Sequence, residues 1–173
     1  MIRLVPAAGA LVFAAIVIWC HVKRPDIAPA TQGVSRYAVG STDAIMAVGF
    51  LSLAAALFVT ALLVKPDVPI ALAAFGIAVV AATPMPDPRA PRWRGPAHTI
   101  AGFVFFMFSA VGAMVASVGR AMVPLVIADL LAICVVLFFA SVIAVSPLAR
   151  VRGWLQRACF ALLVLWLVAI PLR

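Results

Sequence analysis

The sequence predicts an all-α membrane protein, a bundle of six transmembrane helices, from three observations. Of 173 residues, 67% are hydrophobic and 10% are charged, a balance that a water-soluble domain cannot carry without exposing apolar surface. The apolar residues fall into six runs, each near the roughly 20 residues a helix needs to cross a hydrocarbon core of about 30 Å. Most ionisable residues sit between those runs, where water and headgroups can solvate them.

The first run, Leu4 to His21, follows Arg3 in the manner of a signal peptide. Trp19, Cys20 and His21 supply no small-x-small cleavage site, and Trp19 is not the small residue a lipoprotein signal places before its cysteine, so the run reads as a retained membrane helix. The second, Asp43 to Val64, opens after Ser41 and Thr42, whose hydroxyls suit an N-cap, with Asp43 at the helix's positive end. The third, Val68 to Thr83, is short, which favours little tilt or a locally thinned bilayer. Lys65, Pro66 and Asp67 alone join it to the second, which makes the two an antiparallel hairpin. The fourth, Ala97 to Val118, and the fifth, Val123 to Val145, form a second hairpin through Gly119 to Met122. The sixth runs from Trp154 to Leu172.

Together the runs make one transmembrane domain over residues 1–173, with no soluble domain, low-complexity tract or convincing repeat. Ala54 to Ala56, Ala71 to Ala74, and Gly102, Ser109, Gly112 and Ala116 are small residues that let helices approach closely in lipid. Phe103, Phe105, Phe106 and Phe108 surround the fourth helix and read as lipid-facing or core fillers rather than a ligand cage.

The net charge of +8 is spread over short loops rather than gathered in a tail or helical face, which argues against nucleic acid and for anionic lipid headgroups. Nine cations, Lys23, Arg24, Arg36, Arg89, Arg92, Arg94, Arg150, Arg152 and Arg157, belong to the first, third and fifth loops. Only Arg3, Lys65, Arg120 and Arg173 lie opposite, so the positive-inside bias predicts a multi-pass plasma-membrane protein with cytoplasmic odd loops and external termini. Cys20, Cys134 and Cys159 make no CxxC or metal-type spacing and read as small apolar packers.

Three segments carry a family resemblance: "VSRYAVGSTDAIMAVGFLSLAAAL" opening the second helix, "AATPMPDP" leaving the third, and "RGPAHTIAGFVFF" opening the fourth. Read together, they resemble the bacterial six-helix integral membrane family catalogued as domain of unknown function 998. The resemblance implies the six-helix fold, sets no activity, and carries over to Ser35, Tyr37, Gly40, Phe50, Pro86, Asp87, Pro88 and His98. This chain has Thr99 where the family pattern often has an acidic residue, so no His–Asp partnership carries over within that motif.

Alternating topology brings His21 and His98 to the odd-loop face with Tyr37, Asp43, Asp87 and the arginines. Asp87 and His98 are the candidates for acid–base chemistry. Two imidazoles and two carboxylates make an N/O donor set, but no two stand at i, i+4, so no metal site is assigned; capping by Asp43 and turn formation by Asp87 are enough to explain both acids. Arg89, Arg92 and Arg94 around Trp93 suit a headgroup anchor or, with Arg150 and Arg152, a pocket for a phosphorylated lipid. Asp129, two turns into the fifth helix, is expected to face the bundle interior as a proton or cation carrier or a packing lock, with Thr60, Ser117 and Arg120 at comparable depth.

The reading that results is a membrane module that binds lipid or a partner subunit, homo- or hetero-oligomeric, through a polar site at the odd-loop face. The alternative is an enzyme acting on a lipid or isoprenoid substrate through Asp87 and His98, although ceramidase-like hydrolases need three histidines and the chain has two. Lesser alternatives are transport of a small solute or proton through Asp129 and a single haem held by His21 and His98. Catalysis and cofactor are left open by the residues.

Overall fold

In the computed structural model, which describes residues 2–64, 68–84, 91–143 and 146–170, all regular structure is helical. The helices are α1 (Val5–Lys23), α2 (Asp43–Leu63), α3 (Val68–Ala82), α4 (Arg94–Ser117), α5 (Met122–Val142) and α6 (Arg152–Ala169), close to the six apolar runs. Five of them are long and apolar enough to cross a membrane. The exception, α3, has 15 residues and so a length of about 23 Å, matching the expectation of a short third element.

Helix ends shift from the sequence expectation for local reasons. α4 begins at Arg94 rather than Ala97, because Pro96 falls in the first turn, where its missing N–H has no intrahelical partner to lose. Before α6, a 3-10 turn over Pro147–Val151 is started by Ser146, whose side chain accepts from the Leu148 N–H at 3.2 Å. Thr42 stands at the N-cap of α2 without capping it. Its hydroxyl instead donates to the Tyr37 carbonyl at 2.6 Å, which ties the preceding loop together.

Each helix packs on the next in sequence, and α6 returns to α1, so the six form a closed ring. Phe160 of α6 fills its middle on the odd-loop side, with ring centroids 4.9 Å from Phe13 of α1, 6.5 Å from Phe50 of α2, and 5.5 and 5.2 Å from Phe105 and Phe106 of α4. Offset and tilted aromatic pairs of this kind add stabilisation beyond their buried area. At the other end Trp166 Nε1 donates to Ser117 Oγ at 2.9 Å, and Ser117 reaches the carbonyls of Ala113 (2.7 Å) and Pro124 (3.3 Å), joining α6, α4 and the start of α5. A buried polar cluster satisfied in this way costs little and fixes register.

Close approach is concentrated between α3 and α4. A Cβ on Gly76 would lie 2.8 Å from the Phe105 nitrogen and 2.9 Å from the Ala101 carbonyl, and one on Gly112 would lie 2.7 Å from Ile70 Cγ1. The small face expected on α4 thus holds at Gly112, Ser109 and Ala116, which are buried. Gly102 differs: a Cβ there meets nothing within 4 Å, because the residue borders an open space.

Candidate functional site

The loop between α1 and α2 folds over the odd-loop end and is fastened to the first turns of α6. Arg157 does most of this. Its Nη1 donates to the carbonyls of Pro29 (3.0 Å), Gln32 (2.7 Å) and Gly153 (3.1 Å), and its Nη2 to the Tyr37 hydroxyl at 2.9 Å. That hydroxyl, accepting from Arg157, keeps its own proton for His21 Nδ1, 2.9 Å away. One residue earlier, Gln156 Oε1 accepts from the Val34 N–H at 2.7 Å, and the Gly153 N–H donates to the Ala30 carbonyl at 2.7 Å. Gly153 has no room for a side chain, since a Cβ would collide with the Pro29 and Gln32 carbonyls.

A second fastening closes the other half of the loop. Arg24 pairs with Asp26 through two hydrogen bonds of 2.9 and 2.8 Å and donates Nη1 to the Val39 carbonyl (2.7 Å) and Thr42 Oγ1 (3.2 Å). The Arg24 hydrogen bond holds the Asp26 carboxyl below the usual carboxylate range, and Arg24 in turn is raised. Gly40 turns the chain here with φ +79°, a conformation that favours glycine.

Beneath this loop lies a cavity of about 540 Å³, within the size range of ligand pockets. Its mouth is polar, lined by Gln32, Ser35, Arg36, His98, Arg152 and Gln156 among others. Its floor is aromatic: Phe103 and Phe106 of α4 face Phe139 and Phe138 of α5 across centroid distances of 5.0 Å in both pairs, with Val142 at the edge. Gly102 leaves the wall between mouth and floor open, and the outer edge is half exposed at Phe103, where α4 and α5 meet the lipid. His98 Nδ1 donates to the Thr83 carbonyl at 2.6 Å, which leaves Nε2 as the ring's acceptor.

The structure distributes the sequence candidates unevenly. Ser35, His98 and Arg152 line the cavity; Tyr37 is fully buried behind it and supports the loop. Asp87 and Arg89, with Pro86 and Pro88, lie outside the described residues. His21 Nδ1 is taken by the Tyr37 hydroxyl and His98 Nδ1 by the Thr83 carbonyl, so each ring keeps Nε2 alone for a ligand. Among the described residues no group of three His, Cys, Asp or Glu is placed to hold a metal. Asp43 is exposed and accepts from the Ala44 N–H, a local role at the start of α2.

Arg92 and Trp93 are exposed, Arg94 sits over the Trp93 ring at 5.8 Å, and among the described residues Arg36 and Arg152 are the cations that line the cavity. One expectation is corrected. Asp129 does not face the bundle interior. Ala128, Leu131 and Val135 take the buried face of α5, which turns Asp129 outward and exposed, while Thr60 and Ser117 bond to carbonyls of their own helices.

Gln32, Arg36, Gly102, Phe138, Phe139, Gln156 and Arg157 escaped sequence reasoning. One signal was available: Gln32 and Gln156 are the chain's only glutamines, and both line the cavity. The phenylalanines of α4, read as fillers, divide, with Phe105 in the core and Phe103 and Phe106 on the cavity floor.

No curated protein and no solved structure matches the chain. The family described as Protein of unknown function (DUF998) matches residues 7–173. With its fold of apolar helices and a family match that covers nearly the whole sequence, this chain belongs to the DUF998 family.

Proposed function

We propose that the protein is a membrane-embedded binding module that takes an amphiphilic molecule into the cleft between the first loop, α4, α5 and α6. The observation that carries this reading is the division of a single cavity into a polar mouth and an aromatic floor, a gradient that matches a headgroup and a chain. The half-exposed Phe103 edge gives the chain a route from the bilayer. The excess of nine cations in the odd loops over four opposite supports a mouth at the cytoplasmic leaflet, where anionic lipids are concentrated.

The test uses the full chain in phosphatidylcholine nanodiscs with a single-chain phosphocholine that carries a diazirine in its tail. Saturable crosslinks to residues 99–106 and 136–142 are expected. Gly102→Leu, whose Cβ meets nothing within 4 Å, adds bulk to the cavity wall and should lower that labelling at least tenfold. Labelling spread evenly over the outer faces of α1 and α5 would defeat the reading.

His98 favours a second reading, an enzyme that acts on a lipid or isoprenoid substrate. With Nδ1 committed to the Thr83 carbonyl, Nε2 is an acceptor at the mouth of the cavity and suits a general base. On this reading His98→Ala abolishes turnover while tail crosslinking persists.

A further inference from the structure

Among the described residues the ionisable lining of the cleft is one-sided: of the fifteen around it, Arg36 and Arg152 are cations, His98 presents an imidazole, and none is Asp or Glu. The described carboxylates are occupied or remote: Asp26 is paired with Arg24, Asp43 stands at the first turn of α2, and Asp129 lies on the outer face of α5. Among the described residues neither Arg36 nor Arg152 is in an ion pair, and both are exposed at the rim. Two guanidinium groups, one from the first loop and one from the start of α6 on which that loop packs, suit the oxygens of a phosphate, which accepts several charge-assisted hydrogen bonds at once. The side-chain amides of Gln32 and Gln156, whose oxygens already accept from the Ala28 and Val34 N–H groups, have N–H donors left for the same oxygens.

The cavity volume of about 540 Å³ accommodates a headgroup and the first part of a chain, and the half-exposed Phe103 edge lets the remainder lie in the bilayer.

We propose that the cleft selects a phosphate-type anionic headgroup on an apolar chain, with Arg36 and Arg152 as the specificity-determining cations. This rests on the cleft being the binding site for amphiphiles. A zwitterionic head enters with the same chain contacts but adds a cation next to two arginines, and a purely cationic head is repelled.

Competition against the diazirine phosphocholine probe, in the same neutral nanodiscs, separates the terms. Dodecyl phosphate should displace the probe at a concentration at least tenfold lower than dodecylphosphocholine, and dodecyltrimethylammonium should displace it least. Arg36→Gln and Arg152→Gln, both at exposed positions, should each weaken dodecyl phosphate by roughly tenfold, the loss of one charge-assisted pair, and leave dodecylphosphocholine within twofold. Equal displacement by the three heads, or equal weakening of all three in the arginine variants, overturns the headgroup assignment while the cleft reading stands. Displacement by inorganic phosphate at the concentration that suffices for dodecyl phosphate identifies a soluble anion and overturns the chain requirement. Absence of any saturable probe labelling in the cleft removes both readings together.

Discussion

At the scale of single residues, Arg157 joins distant parts of the chain. Its guanidinium satisfies three carbonyls and the Tyr37 hydroxyl from a half-buried position, so its removal leaves loop acceptors without a donor. Arg157→Gln is expected to cost about 1.5–3 kcal/mol, the range for hydrogen bonds to charged groups, read as a lower melting temperature in detergent and as loss of amide protection over residues 28–38. Arg157→Lys should not rescue it, because a compact ammonium lacks the planar fork that divides its donors between loop carbonyls and a phenol. Asp129 predicts the opposite sign. An exposed carboxylate on a lipid-facing helix carries an insertion cost of about 2.5–3.5 kcal/mol at the bilayer centre and less toward the interface, so Asp129→Leu should raise thermal stability. A destabilised Asp129→Leu variant would show that the carboxylate has a partner the monomer does not display. Neither role was legible in the sequence. Arg157 looks like one more loop cation, and three of its four hydrogen-bond partners lie more than 100 positions away.

Among the elements, the helix spans were legible and their rotations were not. Length and apolar composition mark a membrane helix strongly, and the six expected runs agree with the six helices to within a few residues at most ends. Rotation is different, because lipid is as apolar as the protein interior and an inward Phe looks like an outward one. Hence Phe138 and Phe139 gave no sign of the cavity wall, and Asp129 was assigned to the wrong side of α5. Glycines do carry rotational information once the helices are placed. Gly76→Leu would drive a side chain into the backbone of α4 and is expected to destabilise by at least the roughly 1–3 kcal/mol typical of overpacking, whereas Gly102→Ala faces open space and should stay within about 0.5 kcal/mol. Paired unfolding curves in the same detergent check the contrast. A Gly102→Ala loss equal to that of Gly76→Leu would mean that the cavity is filled by packing in the native bundle.

For the whole molecule, the ring of alternating helices places the first, third and fifth connections at one end, and the cavity, the Arg157 fastening and most of the cations gather there. This polarity was legible from the loop charges alone, but the shape of the site was not, since it depends on how the first loop folds back onto α6 about 120 positions later. The arrangement predicts a labelling pattern that requires no knowledge of the ligand. Cys20, Cys134 and Cys159 are buried, so they should not react with a membrane-impermeant maleimide and need not be removed. Arg36→Cys, Arg92→Cys and Arg150→Cys, each at an exposed odd-loop position, should then label together, and Ala121→Cys, exposed in the connection before α5, should label from the other side. In sealed vesicles of native orientation, external reagent should reach only Ala121→Cys if the positive-inside bias sets the topology. Reaction of the three arginine positions instead, with Ala121→Cys protected, would invert the protein in the membrane and move the cleft to the outer leaflet. Reaction of Arg36→Cys and Arg92→Cys from opposite sides would break the alternation on which the shared rim depends.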